Sequence, residues 1–334
     1  MKSKTVKEML RFIAVGAAGA NVVQMLEKKG YKAYYINLAK QDLDLINSPN
    51  KLHISGGEGA SKNRSKAKQV LSESIDEVMN VLEQQITEEY IFVVFSLGGG
   101  SGSGIGAFLA SVLAENPGKK VGLVIILPAM NESLQARINA YEALAEIVEL
   151  KNELCSIFIL DNNQREDKLS INRSFANMFD SFININNYSS IRGVIDIAEQ
   201  KTLLETSGVA MIHKITSGGK EELLSTINEG IYVPLEPNKR VKYIGLSQPD
   251  TKETISIEDV TDVVGEGIDT FCGYGNEETV LYLGGLSFPK TYIDKLAKSI
   301  KSEEERVQKV MEDEDLGMDM SINFLNGARK EEIK

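Results

Sequence analysis

Two hydrophobic rhythms alternate along the first half of the chain. Residues 12–15, 33–36, 91–95, 121–127 and 155–160 are short unbroken runs rich in β-branched and aromatic side chains. Such runs predict strands covered on both faces, as in a parallel sheet. Between them, apolar residues recur every three or four positions. Over 66–85, Val70, Leu71, Ile75, Val78, Val81 and Leu82 form one stripe; over 169–188, Ile171, Phe175, Met178, Phe179, Phe182 and Ile183 form another. Both predict amphipathic helices. Strand and helix in alternation predict an α/β fold built on a mostly parallel sheet. The second half reads differently. Short strands are expected at 209–212, 241–245, 254–257 and 280–283, with helices at 221–228 and 259–265, which predicts a smaller α+β unit.

Where strands meet helices, the chain repeatedly turns on glycine. Strand 91–95 runs through Ser96-Leu97 into Gly98-Gly99-Gly100-Ser101-Gly102-Ser103-Gly104, and a helical stripe begins at Ile105. A strand, a glycine loop and a helix N-terminus together present bare N–H groups and the positive end of a dipole to an anion. A Cβ at Gly100 or Gly102 is expected to fill phosphate space. Ser101 and Ser103 can add hydroxyl donors or ligate a magnesium ion carried with the phosphates. A second such turn, Gly16-Ala17-Ala18-Gly19-Ala20-Asn21, follows the first strand, and Ser55-Gly56-Gly57-Glu58-Gly59-Ala60 makes a third. No G-x-x-x-x-G-K-[ST] loop occurs, and no dinucleotide fingerprint with its acid.

Composition narrows the partners. The 334 residues are 42% hydrophobic and 25% charged, ordinary globular values, with a net charge of −11. That surplus of acid argues against direct nucleic-acid binding, which needs excess Lys and Arg. Cys155 and Cys272 suggest neither a disulfide framework nor a metal site, and His53 and His213 are isolated. No run reaches the roughly 20 apolar residues of a membrane span. A cytoplasmic protein with no membrane partner is expected.

The loop GGGSGSG closely resembles the GGGTG[ST]G signature of the tubulin/FtsZ superfamily of polymerising GTPases. Further loops agree with that resemblance. Gly16, Gly19 and Asn21 match its first nucleotide loop, with Ala17 and Ala18 between them. Asn37, Gln41 and Leu43 match N-T-D-x-Q-x-L, although Ala39 replaces the Asp. Ser55–Arg64 resembles the γ-phosphate loop, through Gly59, Lys62 and Arg64, in the manner of the plasmid and phage branch called TubZ. Pro128 and Glu132 match P-F-x-x-E-G-x-x-R, with Arg137 one residue late. Asn162 falls on the ribose-contacting Asn of P-N-D. Phe175 and Asn177 are the candidates for stacking on guanine and bonding to it.

The resemblance extends to a second site. Asp196 and Glu199 stand where the family has D-F-A-D or D-L-T-E, and the spacing to Gly208-Val209-Ala210-Met211 is ungapped. Two acids at i and i+3 can equally complement a helix dipole. What the resemblance implies is a GTP-binding domain over 1–168, a central helix and catalytic loop over 169–200, an activation domain over 201–300 and a charged tail over 301–334. It implies GTP or GDP with Mg2+, and head-to-tail self-assembly with Asp196 and Glu199 reaching the neighbour's γ-phosphate. It also implies a role in plasmid or phage DNA segregation through a DNA-binding adaptor that meets the tail. A cell-division FtsZ is the alternative; a nucleotide-dependent oxidoreductase lacks its fingerprint and a catalytic His or Cys.

Overall fold

The computed structural model describes residues 5–56, 59–216, 220–250 and 255–312. Its first half runs β1 (Leu10–Val15), α1 (Gly16–Glu27), β2 (Lys32–Asn37), α2 (Lys40–Asp44), β3 (Lys51–His53), α3 (Arg64–Gln85), β4 (Tyr90–Ser96), α4 (Ser101–Ala114), β5 (Lys120–Leu127), α5 (Leu134–Leu150) and β6 (Ser156–Asp161). Helix α6 (Lys168–Ile183) and α7 (Ile197–Glu205) follow. They lead into β7 (Gly208–Ile215), α8 (Lys220–Asn228), β8 (Tyr243–Gln248), α9 (Ile257–Val264), β9 (Asp269–Tyr274), β10 (Thr279–Leu286) and α10 (Lys290–Glu312). All ten strands join one sheet in the order β3-β2-β1-β4-β5-β6-β7-β10-β8-β9. Pairing is parallel from β3 through to β7 and between β8 and β9, and β10 is antiparallel to both of its neighbours.

The unbroken apolar runs are buried strands because helices cover both faces. Every residue of β1, β6 and β10 is buried. Helix α1 lies directly on β4: a Cβ at Gly19 would stand 2.1 Å from the Val94 carbonyl oxygen, so only glycine permits that approach. Phe12, Phe92, Phe158, Phe175 and Phe179 meet in edge-on, stacked and tilted pairs 5.3–5.9 Å apart, tying β1, β4 and β6 to α6. Below them, buried Glu88 bonds Arg11 at 2.9 Å and Lys32 at 2.6 Å. Burial raises its carboxyl, but the bonds from Arg11 and Lys32 outweigh this and bring it down to about 2.

Several expectations are corrected. The strand placed at 254–257 is absent over its described residues: Ser256 instead caps α9 in a capping box with Asp259, because Ser and Asp three apart satisfy helix-end donors. Thr254 lies outside the described residues. Helix α6 ends at Ile183, and a separate short 3-10 turn covers Ile185–Asn187. Strands β3 and β9 carry no such pattern in the sequence, being edge strands with no run of buried residues. Residues 301–312, read as tail, continue α10. Leu296 of this helix is fully buried, and its first half packs against α5; side chains from 301 to 309 are almost all exposed. Residues 313–334 lie outside the described residues.

Candidate nucleotide site

Three loops converge at the C-terminal ends of the parallel strands, where an α/β sheet presents its ligand crevice. A Cβ on Gly16 would meet the Gly102 amide at 3.3 Å, which brings the N-termini of α1 and α4 together. A Cβ on Gly100 would strike Ala60 Cβ at 2.6 Å and the Lys62 backbone at 3.0 Å, so the third loop lies against the glycine loop. Gly102 is equally confined, 2.8 Å from the Ser96 carbonyl oxygen. These two glycines are therefore already required by chain against chain, before any phosphate is considered. Gly99 differs: a Cβ there meets nothing within 4 Å, and its φ is not positive.

The helix ends carry the chemistry. Asn63, Ser133, Asp167, Asp196 and Ser256 each cap their own helix with a side-chain oxygen. Helices α1, α2 and α4 begin at Val15, Ala39 and Gly100 with no side-chain cap. The uncapped ends of α1 and α4 meet, and Gly59, at φ +87°, brings Ala39 of α2 within 3.8 Å of its Cβ position. First-turn N–H groups have no partner within their own helix, so an anion here meets free donors at the positive end of dipoles. A cavity of about 780 Å³ opens at the start of α2 and the third loop, lined among others by Leu38, Ala39, Lys40, Gln41, His53 and Ser55.

Individual candidates divide. Ala17 and Asn21 are exposed on one face of α1, with Ala18 half-buried, and Ser101 is half-buried at the start of α4. Gly98 is confined by Pro128 at 3.1 Å, and Gly104 packs on Arg64. Glu132 is half-buried, accepts from the Ala129 amide at 3.0 Å and pairs with Lys168 at 2.6 Å, linking the β5 loop to the start of α6. Asn162 is half-buried at the end of β6, and Asn163 beside it accepts from the Met130 amide at 2.7 Å.

Other candidates are turned elsewhere. Ser103 is fully buried and donates its hydroxyl to the Gly99 carbonyl, so it is not a free ligand. Asn37 is buried, bonding Asp42 at 2.9 Å and accepting from the Ala39 amide at 3.2 Å, which places it as a loop brace. Arg64 is buried, held by Glu142 at 3.2 Å, Glu146 at 2.9 Å and the Ser103 carbonyl at 3.2 Å. Lys62 reaches Ser133 at 2.8 Å. Arg137 is buried and donates to the Ser299 carbonyl at 3.2 Å, fastening α10 instead of facing the loops. Phe175 is fully buried in the aromatic cluster and has no exposed face for a base. Asn177 is exposed on the same side of α6 as Leu169 and Arg173, at helical spacing.

Asp196 and Glu199 sit at the opposite end of the sheet. Glu205, at the end of α7, bonds Tyr90, the first residue of β4, and the Ser156 hydroxyl at the start of β6 bonds the Leu204 carbonyl at 2.8 Å. The glycine loop leaves the other end of β4, seven residues away, or about 20 Å at the rise of a parallel strand. The two acids form a reciprocal capping box: Asp196 accepts from the Glu199 amide at 2.8 Å and Glu199 from the Asp196 amide at 2.9 Å. Asp196 is exposed and Glu199 half-buried.

Anion-ready helix ends on a doubly covered parallel sheet, with a long helix crossing to further strands, are the features of a tubulin-type nucleotide-binding protein. Residues 9–169 match the Tubulin/FtsZ family, GTPase domain, and the chain is a GTPase-domain protein of that family. It is 28% identical over 304 residues to the tubulin-like protein TubZ of a Clostridium botulinum C phage, covering 88% of this chain and 84% of that one. The crystal structure of Clostridium botulinum phage c-st TubZ superposes with a TM-score of 0.82 at 26% identity, covering 90% of this chain and all of that one. A GTPγS-form protofilament of Bacillus thuringiensis serovar israelensis TubZ shares the fold, with a TM-score of 0.77 at 19% identity over 90% of this chain and 94% of that one.

Proposed function

We propose that this chain is a TubZ-like cytoskeletal GTPase that assembles head to tail and hydrolyses GTP between subunits. The observation that carries the reading is the separation of the two sites across the length of the sheet. The uncapped ends of α1 and α4 accept the phosphates at one end, and Asp196 and Glu199 stand at the other. Two acids at the far end of a sheet whose strand β4 alone is about 20 Å long meet a phosphate only if a second copy stacks below, a heterologous contact that repeats into a filament. Exposed Ile191 and Val194 beside the acids, and Leu45 just after α2 at the loop end, supply apolar surface for that contact. There Asp196 and Glu199 orient or deprotonate the attacking water, while the open amides hold the phosphate oxygens in place.

Magnesium fits this site only as a phosphate-bound ion. Among the described residues there is no cluster of three His, Cys, Asp or Glu side chains that could hold a metal. Mg2+ commonly keeps waters and takes substrate phosphates, and half-buried Ser101 offers it one protein oxygen. When bound it neutralises charge on the phosphates. Residues 1–168 act as the GTP-binding part, 169–200 as helix and catalytic segment and 201–300 as activation part, with α10 running on to Glu312 ahead of the tail. Kinship to phage TubZ supports the reading that the filament serves plasmid or phage DNA segregation in the cytoplasm, through a DNA-binding adaptor that meets the tail. The test is turnover per subunit on dilution with GTP. It falls below the assembly concentration, in step with light scattering; a constant value sinks the shared-site mechanism.

A further inference from the structure

Asn139 is a polar side chain at the centre of an apolar stripe. On α5 it sits among Ala136, Ala140, Ala143 and Leu144, and it is fully buried. Its Nδ2 group faces three carbonyl oxygens, those of Lys62 at 2.8 Å, Gly99 at 3.2 Å and Gly98 at 3.4 Å. Its Oδ1 accepts from Gln135 Nε2 at 2.9 Å. Only the amide nitrogen can face three acceptors, so the orientation of the amide is fixed by chemistry.

We propose that Asn139 is a positioning residue for nucleotide binding, which turns the Gly99 and Gly100 amides toward the ligand by holding the Gly98 and Gly99 carbonyls against α5. This rests on the nucleotide reading of the site. In a planar trans peptide the C=O of one residue and the N–H of the next point in opposite directions. Drawing the Gly98 and Gly99 carbonyls inward therefore sends the Gly99 and Gly100 N–H groups outward, to the side where Gly99 has open space. The Ser103 hydroxyl donates to the same Gly99 carbonyl, so two donors hold it. The third bond, to the Lys62 carbonyl, fixes the third loop at the distance set by Gly100 and Ala60. One side chain thus holds two phosphate loops in register. Glycine supplies the freedom to approach a phosphate; Asn139 removes the freedom to turn away from it.

The experiment measures GDP affinity, melting temperature and their pH dependence in the full chain. Asn139→Leu keeps the volume and loses the donors. Asn139→Asp sets a carboxylate against three carbonyl oxygens, an arrangement that raises its pKa, and only its protonated form can donate. A third variant, Leu144→Ala, lowers stability at a buried α5 position away from the loops. Asn139→Leu is expected to weaken GDP binding at least about tenfold, with Leu144→Ala binding as the wild type does. Asn139→Asp is expected to regain affinity relative to wild type as pH falls from about 8 to about 5.5. Should the Asn139 variants not fold, Gln135→Ala changes an exposed residue and frees the Asn139 amide, with an expected loss of about threefold. GDP affinity within twofold of wild type in the folded variants overturns the proposal, as does a loss that Leu144→Ala matches. If Asn139 variants do not fold, an unchanged Gln135→Ala affinity overturns it. Wild-type protein that does not bind GDP overturns the nucleotide reading itself, and the two failures are distinguishable.

Discussion

Helices α4 and α7 begin in opposite ways, and the contrast organises the molecule. Helix α4 starts on Gly100 with no side chain over its amides, and α7 starts on Asp196, whose carboxylate and that of Glu199 each take up one amide of the end. Each N-terminus has the same unmet donors and the same positive dipole end. One is open, and the other is capped by its own side chains, with Asp196 at the surface. A capping box stabilises a helix whether or not its acids do chemistry, so the fold tolerates catalytic carboxylates there at little structural cost. The bonds that cap the helix also orient the Asp196 and Glu199 side chains.

The strongest way to break the contrast is at the open end. Gly100→Val and Gly104→Val should fail as folded loops, since a Cβ at Gly104 would lie 2.4 Å from the Arg64 carbonyl oxygen. Gly99→Val has space, so its melting temperature should stay within about 3 °C of wild type, while GTP affinity falls by about 100-fold or more as the side chain fills the phosphate side. Titration calorimetry beside thermal melting separates the two; tight GTP binding by folded Gly99→Val would place the phosphates elsewhere.

At the closed end, substitution can separate capping from chemistry. Asparagine caps as well as aspartate, so Asp196→Asn should leave stability unchanged, and Glu199→Gln keeps the capping box. Both should bind GTP normally and lower turnover by about 10²–10⁴. Asp196→Ala should do the same and also cost about 1 kcal/mol of stability. Normal turnover in Glu199→Gln, measured by phosphate release above the assembly concentration, would reduce the box to a cap.

A third comparison concerns pH. Burial lowers His213 to about 4 and keeps it neutral in the folded protein. An unfolded chain takes up that proton near 6.5, so the stability is present above about 6.5 and is lost as pH falls toward 4, on the order of 3 kcal/mol. Glu88, held down to about 2 by Arg11 and Lys32 against its burial, contributes stability above about 4.5 that is lost toward pH 2. Neither group belongs to the loops. His213→Phe should flatten the upper part of the acid-denaturation curve and leave GTP affinity at neutral pH unchanged. The smallest effect is expected at the tail: truncation after Glu312 leaves all of α10 and its packing on α5 in place, so GDP affinity should stay within about twofold while filament behaviour changes.

The strands, the helix stripes and the loop candidates were legible because their signals are local. Unbroken apolar runs, 3.6-residue stripes and glycines between them follow from backbone geometry within about ten residues. The spacing from Asp196 to Gly208 is likewise a property of the chain alone. What each candidate side chain touches is not local. Phe175 enters an aromatic cluster with members from three strands, and Arg137 bonds a carbonyl 162 residues away on α10. Arg64 is consumed by two carboxylates 78 and 82 positions along, and Ser103 by its own loop. Asn139 gave no signal beyond one polar residue in an apolar stripe. Its role exists only because tertiary packing brings Lys62, Gly98 and Gly99 to a single buried amide, and a buried amide must find partners wherever the fold places them.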